Sequence, residues 1–163
     1  MGTAATVVML ATMCAPAVDP ATTLSLVSVE SNFQPYAIGV VGATLMRQPR
    51  SRAEALATIA ALERDGYDYS VGLAQINRRN WKRLGLSAES VLDKCKNLKA
   101  METILTECFS RARVRHTNTQ QALRAALSCY YSGNFATGFH HGYVGRVVRK
   151  ARVMRAAATE PGR

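Results

Sequence analysis

The chain has 163 residues, 48% of them hydrophobic, with 11 Gly and 5 Pro, which makes one domain with one self-sufficient core the expectation and excludes disordered and collagen-like classes. Its 21 Lys and Arg against 11 Asp and Glu leave a net charge of +10. A field of that sign gathers anionic partners, whether nucleic acid, anionic lipid or an acidic cell-wall polymer, and does not choose among them.

The opening stretch MGTAATVVMLATMCAP carries an apolar run too short to span a bilayer, with no positive charge ahead of it, so it does not read as an intact secretory signal. It reads as the first helix of a mature chain. Gly2 with Thr6 matches a myristoylation pattern short enough to arise by chance. VDPATTLSLVSVESNF then starts a helix: Asp19 caps the free N–H groups and Pro20 fits the first helical position. Leu24, Val27 and Ser28 share a face, which puts Glu30 and Ser31 near the border of that face at the end of a mostly buried helix.

IGVVGATL, residues 38–45, is short, β-branched and bounded by glycines, the pattern of a strand or hairpin arm. Residues 51–66 form a helix capped by Ser51 with Glu54 three residues on, and stopped by Gly66. YDYSVGLAQINRRNW begins extended and returns to helix. Ser87 caps AESVLDK, and the next segment repeats apolar residues with helical spacing at Leu98, Met101, Ile104, Leu105 and Phe109. TQQALRAALSCYY adds a helix through Leu123, Ala126, Leu127 and Tyr130, broken at Gly133. A looser NFATGFHHG leads into a basic helix at about residues 143–158. Its block RVVRKARVMR spaces charges like a solvated helix face rather than a docking patch, without interleaved aromatics or any nucleic-acid motif. No repeat or linker divides the chain, so residues 1–163 are expected to form a single domain, α+β and mostly α, with a small β element beside a helical body.

Cys14, Cys95, Cys108 and Cys129 form no C-x-x-C pair and have no histidine at ligand spacing, which argues against zinc. Two disulfides and four buried thiols both remain open on spacing. Of the three histidines, His116, His140 and His141, the adjacent pair cannot face one metal from a helix and reads as a solvated loop pair. Neither a G-x-S-x-G elbow nor a phosphate-binding glycine loop is present. No metal or organic cofactor is implied.

What remains is a glutamate at a helix end, a Gly-Leu-x-Gln segment and a Tyr-rich turn. Such a set suits acid/base work on a sugar: apolar walls raise a carboxyl pKa so that it holds a proton, while amide and phenol groups orient the substrate. Taken singly, each has an ordinary reading, with Glu30 an exposed helix-end charge, Gln75 a plain polar residue and the tyrosines core or rim.

The order of these features is more specific. ESNFQPYAI, VGLAQIN, ALSCYYSGN and GYVGRVV resemble, in that order, the four motif regions of the lysozyme-like lytic transglycosylases. CAPAVDPATT, AIGVVGATLMRQPRS, ALERDGYDYSVGL and NLKAMETILTECF extend the resemblance to the VirB1-type enzymes of type IV secretion systems, over residues of about 14–148. The resemblance implies a goose-lysozyme-like fold with a groove for peptidoglycan glycan strands. Carried over by position, Glu30 is the catalytic acid and Ser31 its hydrogen-bonding support. Gly72, Leu73 and Gln75 match the Gly-Leu-x-Gln motif, Tyr130 the tyrosine of the third motif and Tyr143 that of the fourth. Two departures stand out. Relatives usually read Ala-Tyr-Asn where this chain has Cys129-Tyr130-Tyr131, which leaves Tyr131 at a groove position expected to hold asparagine, and many have Met where this chain has Ala74.

The implied reaction uses one carboxyl group. Glu30 protonates the oxygen between N-acetylmuramic acid and N-acetylglucosamine, and then acts as base while the muramic 6-hydroxyl closes a 1,6-anhydro ring; hydrolases need a second carboxylate instead. Asp68, just before the Gly-Leu-x-Gln motif, is the candidate for that second acid, set against its reading as a surface or turn aspartate. The resemblance also implies a periplasmic enzyme, hence two disulfides, Cys14 with Cys95 and Cys108 with Cys129, and a partnership with components of a type IV secretion apparatus. It implies neither a nucleic-acid partner nor a membrane span. The alternatives are a muramidase that uses water and a non-catalytic wall-binding scaffold.

Overall fold

A computed structural model of the chain describes residues 4–159. Gly2, half of the myristoylation pattern, lies outside them. In chain order the elements are helices α1 (Ala4–Cys14) and α2 (Pro20–Ser31), strand β1 (Ile38–Val40), helix α3 (Arg52–Arg64), and strands β2 (Tyr69–Val71) and β3 (Ile76–Asn77). A single 3-10 turn (Arg78–Asn80) follows, then helices α4 (Trp81–Leu84), α5 (Ala88–Val91), α6 (Lys94–Arg113), α7 (Thr119–Ser132), α8 (Thr137–His140) and α9 (Tyr143–Thr159). The chain is therefore mostly helical with a small antiparallel sheet. It divides into two compact units, one of residues up to 29 and from 101 onward, the other of residues 30–100. Helices α2 and α6 contribute residues to both.

In the first unit, Asp19 accepts the Thr22 N–H at 3.1 Å and so caps α2, whose first residue is Pro20. The buried Glu102 of α6 accepts the Ala17 N–H at 2.9 Å, fixing the link between α1 and α2. Helices α6 and α7 are joined by the Cys108–Cys129 disulfide, with Cα atoms 5.8 Å apart, as the family resemblance implied. Cys14 and Cys95 are disulfide-bonded as well, so that no cysteine is free. Near that joint the chain uses small residues, with Ala112, Ala122 and Ala125 packed together and Phe109 and Phe135 against them.

The segment NFATGFHHG is less loose than expected, because α8 is a helical turn seated on α7. Gly138 is the reason: a Cβ there would lie 2.6 Å from the Ser128 Cα, and the Ser128 hydroxyl accepts the Gly138 N–H at 2.9 Å. His140 and His141 are exposed at the end of this turn. Tyr130 and Tyr131 lie inside α7 and Tyr143 opens α9, in the two helices expected there.

In the second unit the sheet has the order β1-β2-β3, all antiparallel, with Ile38 opposite Val71 and Ser70 opposite Asn77. Only Ile38–Val40 of the expected arm is strand; Val40 bridges to Ala43 beyond it. The outer edge of β1 is closed by a side chain. Gln48 accepts the Ile38 N–H at 2.8 Å and donates to the Ile38 carbonyl at 2.9 Å, imitating one rung of a further strand. Helix α3 starts as expected, with the Ser51 hydroxyl accepting the Glu54 N–H. Behind the sheet, the fully buried Tyr69 meets Trp81 edge-on at 5.8 Å and donates its hydroxyl to Glu63 at 2.7 Å. That bond, with Arg78 on the same carboxylate, holds the Glu63 pKa down, while burial pushes the Tyr69 phenol up.

Candidate functional site

Glu30 is the penultimate residue of α2 and is half-buried rather than exposed. The helix ends hard: Asn32 and Phe33, the next two residues, both take the left-handed conformation, with φ of 49° and 63°. Two non-glycine residues in that region are uncommon and carry strain that surrounding contacts must offset. Ser31 supplies one such contact, donating its hydroxyl to the Leu73 carbonyl at 2.7 Å. The end of α2 that carries Glu30 is thereby tied to the Gly-Leu-x-Gln segment 42 residues away in sequence.

That segment is the turn from β2 to β3. Gly72 and Gln75 both have positive φ, 87° and 50°, and the Gln75 N–H closes the turn on the Gly72 carbonyl at 3.1 Å. The Ala37 carbonyl receives the Gly72 N–H at 2.8 Å and the Gln75 side-chain amide at 2.9 Å. The same amide nitrogen reaches the Gly72 carbonyl at 3.1 Å. Both donors of the Gln75 amide thus serve the backbone, and its oxygen approaches Gly39 so closely that a Cβ there would lie at 2.8 Å. Leu73 and Ala74 are buried. The turn is thus braced through the N–H groups of Gly72, Ala74 and Gln75, and the Gln75 side-chain oxygen lies beside Gly39.

The turn rests on a residue that the sequence did not single out. Asn97, only 1% exposed, accepts the Ala74 N–H at 2.8 Å and donates to the carbonyls of Val71 and Val91 at 3.0 and 2.9 Å. Buried backbone groups of an irregular turn need such partners. A signal for it existed: Asn97 precedes Met101, Leu105 and Cys108 on one helical stripe of otherwise apolar residues.

Asp68, immediately before β2, is exposed. Its carboxylate accepts the Asn77 side-chain amide at 2.8 Å, which also donates to Ser70 at 3.3 Å. The three residues form a polar cluster on the exposed face of the sheet.

The tyrosines belong to the other unit. Tyr143 is buried, Tyr130 half-buried and Tyr131 38% exposed. Tyr131 stacks on Tyr143 with ring centroids 4.6 Å apart at 19°, and its hydroxyl meets His141 Nδ1 at 3.1 Å. Tyr131 thus presents an exposed aromatic face backed by a second ring and bonded at its hydroxyl to a histidine. His141, read from sequence as solvated, is exposed and also makes this bond to Tyr131.

Residues 8–152 match the transglycosylase SLT domain. The type IV secretion system protein VirB1 of Brucella abortus (strain 9-941) is 49% identical over 150 residues, covering 88% of this chain and 63% of that protein. Protein VirB1 of Rhizobium radiobacter is 36% identical over 154 residues, covering 93% and 63%. Protein VirB1 of Agrobacterium fabrum (strain C58) is 35% identical over 141 residues, covering 85% and 56%. The chain thus spans less than two thirds of the length of these curated relatives. No solved structure matches it.

Proposed function

From a chain that belongs to the transglycosylase SLT domain family, with the lysozyme-like fold of that domain, we propose a lytic transglycosylase that cleaves the β-1,4 bond between N-acetylmuramic acid and N-acetylglucosamine in peptidoglycan. The observation that carries this reading is the Ser31–Leu73 hydrogen bond at 2.7 Å, which unites the helix end bearing Glu30 with the Gly-Leu-x-Gln turn. A half-buried carboxyl group on a helix end tied to that turn suits one-acid glycan cleavage.

Glu30 in its neutral form donates its proton to the glycosidic oxygen as the bond to the muramic C1 breaks, and positive charge spreads onto C1 and the ring oxygen. The substrate's own acetamido group supports that charge. Glu30, now a carboxylate, takes the proton of the muramic C6 hydroxyl as its oxygen attacks C1. The ring closes as the 1,6-anhydro sugar, and Glu30 is returned protonated. No water enters, so no second carboxylate is needed. Beside Glu30, the Gln75 side chain is proposed to contact the glycan, with Gly72 and Leu73 shaping that turn, and the family resemblance supports Tyr130, Tyr131 and Tyr143 as further glycan contacts.

The relatives named for type IV secretion support a task of opening the wall locally for such an apparatus. The disulfide bonding of all four cysteines supports a periplasmic site of action. No helix of the described residues is long and apolar enough to cross a membrane.

Purified peptidoglycan digested with the wild type and with Glu30→Gln tests the reading by mass spectrometry of the released muropeptides. Products ending in 1,6-anhydromuramic acid, one water lighter than reducing ends and lost in the variant, are expected. Reducing-end products would identify a water-using muramidase and turn attention to Asp68. Binding of wall fragments with no release by either protein would identify a scaffold.

A further inference from the structure

A second feature lies in the unit that holds the tyrosines, between α7 and α9. A cavity of about 110 Å³ opens there, with Leu123, Leu127, Val147 and Ala151 in its lining and Arg124, Arg152 and Arg155 around it. Leu127 and Val147 are buried and the three arginines are exposed. Neither α7, TQQALRAALSCYYS, nor α9, YVGRVVRKARVMRAAAT, contains a single acidic residue. The groove is therefore an aliphatic floor inside a ring of cations that the flanking helices do not neutralise.

The arginines are not equivalent. Arg155 is held by Asp19, with a nitrogen 3.3 Å from the Asp19 Oδ1 that also caps α2. Arg124 and Arg152 have no ion pair or side-chain hydrogen bond among the described residues. Two uncommitted guanidinium groups beside an anchored one, over aliphatic surface, match a ligand that alternates carboxylates with an aliphatic side chain.

We propose that this groove docks an acidic segment of a partner protein, with one aliphatic side chain seated against Leu127 and Val147 and its flanking carboxylates on Arg124 and Arg152. Other occupants fit less well. A second copy brings the same cations and a net charge of +10, so it is repelled. A lipid surface cannot follow the groove inward to its aliphatic floor. Single-stranded nucleic acid needs rings on which its bases stack, and no aromatic residue lines the groove. The relation goes beyond wall cleavage and does not depend on it.

The probe is a fluorescein-labelled synthetic helical peptide with glutamates on both sides of one leucine, and the readout is its anisotropy on addition of the full chain. Reversing Arg124→Glu with Arg152→Glu is expected to weaken binding by about tenfold or more, whereas the same charge change on α9 outside the groove, Arg149→Glu with Lys150→Glu, is expected to weaken it by no more than about threefold. Replacing the probe's leucine by serine at constant charge is expected to cost about fivefold, because the aliphatic seat is then empty. Wall digestion by the groove variant should stay at the wild-type rate, which separates this inference from the proposed activity. Equal losses from the two charge reversals, indifference to the leucine, or tighter groove-dependent binding of anionic vesicles or single-stranded DNA would overturn it. If the reversal variant fails to fold by circular dichroism, Arg124→Gln with Arg152→Gln carries the same test.

Discussion

The side-chain amide of Asn97 fills the space that a Cβ on residue 72 would need: an ideal Cβ built on Gly72 lies 2.2 Å from Asn97 Nδ2. The first residue of the Gly-Leu-x-Gln turn is glycine here for two physical reasons, a φ of 87° and this contact. Asn97 is likewise asparagine because it meets one N–H, of Ala74, and two carbonyls, of Val71 before the turn and Val91 at the end of α5. Each residue makes sense only beside the other.

Removing either should loosen the turn. Asn97→Ala removes the bond to the Ala74 N–H and those to the Val71 and Val91 carbonyls and is expected to cost about 3 kcal/mol. Gly72→Ala is expected to cost a similar amount, about 3 kcal/mol, through strain and overlap together. Asn97→Asp should be worse than the alanine variant, since it sets carboxylate oxygens against the carbonyls of Val71 and Val91. Urea melts of the three proteins give the order.

Ser31→Ala deletes one hydrogen bond and should lower stability by only about 1 kcal/mol. Its effect on product release is expected to be larger in kcat than in KM, because the bond positions the helix end that carries Glu30 without contacting glycan. A loss confined to KM would contradict this placement.

Tyr131→Phe keeps the stack on Tyr143 and loses the bond to His141, whereas Tyr131→Ala loses both. If a sugar lies on this face, KM for wall fragments should rise about fivefold for the alanine variant, as expected for an aromatic contact of about 1 kcal/mol, and remain near wild type for phenylalanine.

The Cys108–Cys129 bond closes a loop with a sequence separation of 21. Cys108→Ala with Cys129→Ala is expected to lower stability by about 3 kcal/mol through the entropy returned to the unfolded chain. For a chain of this size that is a drop in Tm of roughly 10 °C, readable by calorimetry.

Glu54 is held at a pKa of about 2, first by the hydrogen bond from Arg47 and then by the Arg50 N–H. A folded-state pKa below the unfolded one stabilises the fold above the unfolded value, and the contribution disappears as pH falls through the folded value. Glu54→Gln should therefore lower Tm slightly at neutral pH, with the difference from wild type closing between an ordinary pKa of 4.5 and about 2. The effect is small because the Arg47–Glu54 pair is exposed.

Much of this molecule was readable from local pattern. Ser51 caps α3, Pro20 opens α2, and the glycines at 66 and 133 take the positive φ values that end their helices. These are effects within a few residues, governed by capping and backbone sterics, and the chain carries them wherever it folds. The order of four short motifs was legible in the same way and pointed to the transglycosylase family. Tertiary structure alone decided the rest. It set Glu30 half-buried rather than exposed, bound Ser31 to Leu73 across 42 residues, and placed Asn97 beneath the turn. It also turned NFATGFHHG into a helical turn by letting Gly138 touch Ser128, and it opened a cationic groove between two helices that each read as ordinary. Hydrogen bonds and close contacts between distant segments have no local signature, because a buried amide is as satisfied by one carbonyl as by another until the fold chooses which it meets.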